Sequence, residues 1–65
     1  MFKITVTGVN GEKRTFDKLQ VGAWDGIEYH DRYYAFGQYG LSVVIDETEY
    51  MYPYHTVVSI KTENV

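Results

Sequence analysis

The sequence predicts an all-β protein, formed as a small, strongly bent antiparallel sheet or barrel of five to six short strands. Apolar and polar residues alternate in several segments, and turn-forming dipeptides recur at short intervals. The composition favours strands, with seven tyrosines, three phenylalanines and one tryptophan. No amphipathic helix is predicted, because apolar residues nowhere recur at helical spacing for long enough. Since 65 residues enclose only one small core, we expect a single domain over residues 1–65.

The N-terminal segment predicts a β-hairpin. Residues 2–7 alternate Phe, Ile and Val with Lys and Thr, the pattern of a strand with one buried face. The dipeptide Asn10-Gly11 suits the positive φ of a tight hairpin turn. The chain then returns over residues 12–21, and the alternation slips at Asp17-Lys18, which predicts a bulge or bend there.

The middle of the chain predicts further short strands. A third strand is expected over residues 24–29, followed by a turn at His30-Asp31. Another strand covers residues 32–36. The glycines that bracket residues 37–40 then predict a turn.

The strand over residues 41–46 is the clearest, because apolar residues occupy every second position. The chain is expected to reverse at Glu47-Thr48. Pro53 lacks an N–H group, so we place it at an edge position or at a strand end. At most a single helical turn fits, near residues 53–56 or around Asp17.

The final strand is expected over residues 56–61, with Val58 and Ile60 buried. An aromatic-proline turn precedes it, in the sequence Tyr-Pro-Tyr-His-Thr-Val-Val-Ser-Ile over residues 52–60. This stretch resembles the end of SH3-like and Sm-like barrels, where such a turn leads into a closing strand. The resemblance implies an SH3-like architecture and carries over no functional residue.

One possible reactive site is a metal site. Four residues with oxygen or nitrogen ligands lie close together in sequence: Asp25, Glu28, His30 and Asp31. Their spacing matches no known ligand pattern, and strand alternation sends neighbours to opposite faces. We therefore interpret the cluster as a solvated polar turn and expect no metal and no cofactor.

Hydrolytic chemistry needs a nucleophile, a base and oxyanion donors. The candidates are Ser42, Ser59, His30 and His55, and no Gly-x-Ser-x-Gly elbow frames either serine. The carboxylates of Asp46, Glu47 and Glu49 fall in a predicted hairpin turn, where charge keeps the turn solvated. We expect no catalytic residue and no enzyme activity.

Charge and composition narrow the classes of partner. The formal net charge is -3, which disfavours a nonspecific binder of the phosphate backbone. The chain has no cysteine for a disulfide framework, and its start lacks the pattern of a signal peptide. No segment is apolar enough to span a bilayer. These observations predict a cytoplasmic protein without membrane attachment.

The aromatic residues are too many for one small core, since each brings about 150–250 Å² of surface. If Tyr34 and Phe36 face the core, alternation directs Tyr33 outward. Tyrosine combines wide apolar contact with a hydroxyl and is common in interfaces. The alternative is that the rings cover the core and expose only their hydroxyls. The candidate partner-binding residues are Tyr33, Tyr50, Tyr52 and Tyr54.

We therefore expect a small, non-catalytic binding module that engages a protein through a tyrosine-rich face or an unpaired edge strand. The chain resembles small proteins of bacteria and their phages, and a small regulator or inhibitor of the kind that phages encode fits this description. Its small size and surplus aromatic area also favour a homodimer.

Two alternatives stay open. One is a β-barrel that binds single-stranded nucleic acid by stacking bases on tyrosines, which the acidic net charge disfavours. Its phosphate contacts would come from the six basic residues, Lys3, Lys13, Arg14, Lys18, Arg32 and Lys61. The other is a minimal metal-dependent enzyme built around residues 25–31.

Overall fold

The computed structural model describes residues 1–22 and 31–65, and this part of the chain forms six strands and one helical turn. The strands are β1 Phe2–Gly8, β2 Lys13–Val21, β3 Arg32–Phe36, β4 Gly40–Ile45, β5 Thr48–Pro53 and β6 Val57–Asn64. A 3-10 turn over Tyr54–Thr56 joins β5 to β6, as expected. The all-β prediction is confirmed. The strand predicted over residues 24–29 lies outside the described residues.

The six strands form one sheet in the order β5-β4-β3-β2-β1-β6. Of the two predicted architectures, the bent sheet is the one formed, since β5 and β6 remain edges in the part of the chain described. Every pair is antiparallel except β2 and β3, which run parallel at Gln20↔Tyr33 and Val21↔Tyr34. This corrects the purely antiparallel expectation. β2 ends at Val21 and β3 begins at Arg32, so their separation in sequence is longer than the roughly two to five residues of a hairpin loop, which would force the chain to reverse direction.

The sheet curls strongly enough to close β5 over β2. These strands are three positions apart, so a flat sheet would separate them by about 14 Å. The ring centroid of Phe16 on β2 nevertheless lies 5.3 Å from that of Tyr50 and 6.1 Å from that of Tyr52. The core lies inside this curl. Its buried members within residues 1–22 and 31–65 are Ile4, Val6, Phe16, Leu19, Tyr34, Leu41 and Val43.

The β1–β2 hairpin uses a three-residue turn. Gly8 N–H donates to Glu12 O at 2.8 Å, and Gly11 N–H donates to Gly8 O at 3.0 Å. Gly11 has a φ of 87°, whereas Asn10 is not among the residues with positive φ. The expectation of positive φ is thus met by the glycine alone. This is the geometry of a turn closed by a glycine bulge, since a two-residue type I′ turn needs two such residues.

The predicted bulge in β2 is present. Pairing with β1 shifts from Ile4↔Phe16 to Phe2↔Leu19, which inserts one extra residue into β2. Lys18 lies at this point with a φ of 54°. The bulge directs both Phe16 and Leu19 into the core although they are three residues apart.

A second bulge overturns one predicted core residue. The partners of β6 step from Ser59 to Val57 where β1 steps from Thr7 to Gly8. Val58 is the extra residue and is 68% exposed, so the prediction that it is buried is wrong. Val57 packs against the core in its place, and Ile60, predicted to be buried, packs there while partly buried.

An arginine links the two halves of the sheet where their pairing is shortest. Arg32, at the start of β3, donates from Nη2 to Asp17 O at 2.8 Å and from Nε to the same oxygen at 3.2 Å. Its Nη2 also lies 3.3 Å from Asp17 Oδ1. The carbonyl that accepts belongs to the β2 bulge. Arg32 thus supports a β2–β3 junction that has only two ladder pairs.

The β4–β5 hairpin reverses at Asp46-Glu47, one residue earlier than predicted. Ile45 pairs with Thr48, so the loop has two residues, and their φ angles are 49° and 70°. A type I′ turn requires positive φ at both positions. A left-handed backbone conformation costs about 1–2 kcal/mol for an L-residue with a Cβ atom, such as glutamate. Glycine has no Cβ atom and adopts this conformation without the cost.

Glu47→Gly is expected to stabilise the protein by about 1 kcal/mol, because glycine adopts this backbone without strain. Urea denaturation followed by circular dichroism measures the change. Glu49→Gly is the matched control, since it removes the same side chain from the same hairpin at a position without positive φ. It is expected to destabilise, and equal effects of the two changes would contradict the assignment of strain to Glu47.

Phe16→Ala is expected to cost about 3–5 kcal/mol, the range for a buried aromatic side chain. A domain of this size has a total stability of roughly 3–10 kcal/mol, so the variant should be largely unfolded. Thr15→Ala, at an exposed neighbour, should lower the urea midpoint only slightly. A folded Phe16→Ala variant with a midpoint near the parent value would show that the closure of β5 over β2 does not depend on this ring.

Candidate functional site

Two of the four candidate tyrosines lie together on β5. Tyr50 and Tyr52 are half-buried and pack against Phe16 where β5 closes over β2. Strand alternation places them on one face, as predicted. Their rings cover the core, so only part of each side chain reaches the surface.

The other two candidates lie elsewhere. The Tyr54 hydroxyl donates to Gly37 O at 2.7 Å, and its backbone N–H donates to Tyr39 O at 2.9 Å. Tyr54 therefore fastens the turn over residues 37–40, which is present as predicted. Tyr33 is half-buried on β3, and because its neighbour Tyr34 is buried, alternation puts it on the opposite face of the strand. The four tyrosines do not form one continuous surface.

An arginine completes the surface next to the β5 tyrosines. The Arg14 guanidinium carbon lies 4.7 Å from the ring centroid of Tyr50 and 5.4 Å from that of Phe16. These are cation–π distances. Arg14 is exposed, and no carboxylate or carbonyl among residues 1–22 and 31–65 accepts a hydrogen bond from it. Its donors are thus available to a ligand at this surface.

A groove of about 460 Å³ opens beside Arg14. The β1–β2 hairpin forms one wall and Tyr52 lies on the other, with Lys13 and Arg14 supplying positive charge. Glu12 is the only carboxylate among the described lining residues. Asn10 Oδ1 accepts from the Glu12 N–H at 3.1 Å, which holds the hairpin tip in place. We call this surface, Arg14 with Tyr50, Tyr52 and the adjoining groove, the arginine–tyrosine groove.

Sequence reasoning found the tyrosines of this groove and named Arg14 only as one of six basic residues. A usable signal was present, because Arg14 and Phe16 are two residues apart and therefore share a face of β2. The contact with Tyr50 depends on the closure of β5 over β2. This closure cannot be predicted from a local pattern, because β2 and β5 are far apart in sequence.

The catalytic candidates are not assembled by the described residues. Ser42 lies on β4, Ser59 on β6 and His55 in the 3-10 turn, and no hydrogen bond joins the histidine to either serine. No group of three or more His, Asp or Glu side chains that could hold a metal occurs within residues 1–22 and 31–65. Asp25, Glu28 and His30 lie outside those residues.

Comparisons of the chain with protein-family models, with curated proteins and with solved structures give no match. In the part of the chain that is described, no helix is long and apolar enough to cross a membrane.

Arg14→Gln should lower the stability by about 0.5–1 kcal/mol, the size of an exposed cation–π contact. Urea denaturation measures the change, with Lys13→Gln as the matched control because it removes the same charge from the neighbouring residue. The control should change the stability by less than about 0.5 kcal/mol. If both variants lose the same amount, the stacking of Arg14 on Tyr50 does not contribute to stability.

Proposed function

We propose that this protein is a small, non-catalytic binding module that engages a protein partner through the arginine–tyrosine groove. One observation carries the proposal: the exposed Arg14 guanidinium is stacked on aromatic rings at the rim of a groove and has no acceptor among the described residues. Stacking orients the guanidinium before a ligand arrives, so less side-chain freedom is lost on binding.

The chemistry of the groove favours an acidic segment of the partner. A guanidinium offers paired N–H donors that match a carboxylate, and such charge-assisted pairs are stronger than neutral hydrogen bonds. Lys13 adds a second positive charge close by. The exposed part of Tyr52 supplies apolar contact for a neighbouring side chain of the partner.

Single-stranded nucleic acid is the alternative ligand, and two observations weigh against it. Base stacking needs open ring faces, whereas the Tyr50 ring is in contact with both Arg14 and Phe16. The formal net charge of -3 also repels a phosphate backbone outside the immediate groove. A peptide that presents one or two carboxylates is less affected by this net charge.

Selection from a library of displayed random peptides tests the proposal. The selected peptides are expected to be enriched in Asp and Glu, and fluorescence anisotropy of one labelled peptide then gives the dissociation constant. Arg14→Gln should weaken binding roughly tenfold or more, the value of a hydrogen bond to a charged group. Lys18→Gln removes the same charge from the same strand at a residue that does not line the groove, and should change binding less than about twofold.

Two results would contradict this function. If Arg14→Gln and Lys18→Gln weaken binding equally, the peptides respond to overall charge and not to the groove. If the selected peptides lack acidic residues while a labelled oligo-dT binds at low salt and loses binding in Tyr52→Ala, the nucleic-acid alternative holds instead.

A further inference from the structure

The outer edge of β6 has backbone groups without a partner among the described residues. Val65 N–H donates to Met1 O at 2.9 Å, and the Met1 ammonium donates to Val65 O at 3.4 Å, so these two residues form a hydrogen-bonded pair. Bonded and non-bonded pairs alternate along an antiparallel ladder. Ile60, Thr62 and Asn64 therefore direct their N–H and C=O groups away from β1, where no described strand meets them.

The opposite edge of the sheet is less suited to accept a strand. Tyr54 N–H donates to Tyr39 O, which directs the even-numbered residues of β5 toward β4. Glu49, Met51 and Pro53 then point outward. Proline has no N–H to donate, so a strand added along β5 would lack one ladder hydrogen bond. Among the described strands, β6 is the edge that remains open.

The charges on β6 favour pairing with a second copy in one register. Lys61 and Glu63 are two residues apart on the same face, with Nζ 3.8 Å from Oε1. A two-fold axis through Thr62 sets Lys61 of each copy directly opposite Glu63 of the other. The same axis pairs Thr62 with itself and Ile60 with Asn64, so all the outward groups find partners. Axes through Lys61 or Glu63 would oppose like charges, and an axis through Ile60 would set Lys61 against Ser59.

We propose that the outer edge of β6 is a homodimer interface, in which two copies pair antiparallel about a two-fold axis through Thr62. Isologous pairing of this kind requires a self-complementary surface, which the Lys61-Thr62-Glu63 sequence provides. Pairing would satisfy the backbone groups of this edge and extend the sheet of a chain of only 65 residues. This inference does not rest on the arginine–tyrosine groove, which uses other residues.

Charge reversal on the full-length chain tests the register. Lys61→Glu and Glu63→Lys should each raise the dimer dissociation constant roughly tenfold, because each opposes like charges at both symmetry-related positions. The double variant K61E/E63K restores opposite charges and should return to within about threefold of the parent value. Sedimentation equilibrium over a range of concentrations gives these constants, and Lys18→Glu is the control for the change in net charge.

Amide hydrogen exchange tests the edge itself and does not depend on how the variants fold. The amides of Ile60, Thr62 and Asn64 should gain protection as the protein concentration rises, while the amides of Glu49 and Met51 should not. A chain that stays monomeric at millimolar concentration would overturn the proposal. So would a double variant that dissociates as readily as the single variants, because the register would then be wrong.

Discussion

The closure of β5 over β2 is the constraint on which the rest of the structure depends. A lone sheet exposes two faces, and a chain of 65 residues has little material to cover either of them. Curling brings Phe16 against Tyr50 and Tyr52 and turns one face inward. Aromatic pairs of this geometry add about 0.5–1.5 kcal/mol each beyond the area that they bury. The core, the groove and the position of Arg14 all follow from this contact.

Much of the fold can be predicted from local patterns, because each pattern depends only on residues that are close together in sequence. The alternation of β1, the slip at Asp17-Lys18, the turn over residues 37–40 and the helical turn after Pro53 each needed only a short window. The exposure of Val58 could not be predicted in this way. Its bulge is defined by how β6 registers against β1, and a register belongs to two strands at once.

The candidate site shows the same division. Tyr50 and Tyr52 can be predicted from the excess of tyrosines and from their alternate positions in the sequence. Tyr54 and Tyr33 belong to the same excess of tyrosines but do not lie on the same surface. Arg14 is named from the sequence only as one of six basic residues, because its contact with Tyr50 joins residues more than thirty positions apart. A site formed by contacts between strands that are distant in sequence can be recognised only from the folded structure.

The aromatic side chains also serve two purposes that conflict. A ring that holds the core cannot be fully offered to a partner, and the β5 tyrosines are half-buried for this reason. The protein resolves the conflict by placing a guanidinium on top of the rings. The exposed chemistry is then that of the arginine, and the rings act as its support.

Pro53 makes the two edges of the sheet unequal in their capacity to pair with another strand. A sheet with two open edges can add copies indefinitely, which is how small β proteins grow into fibres. Here one edge ends at a residue that cannot donate a ladder bond, and its other outward positions hold a glutamate and a methionine. If two chains pair through β6, β5 is the remaining edge of each chain, and Pro53 interrupts pairing there. Pro53 thus limits the growth of this sheet through its β5 edge.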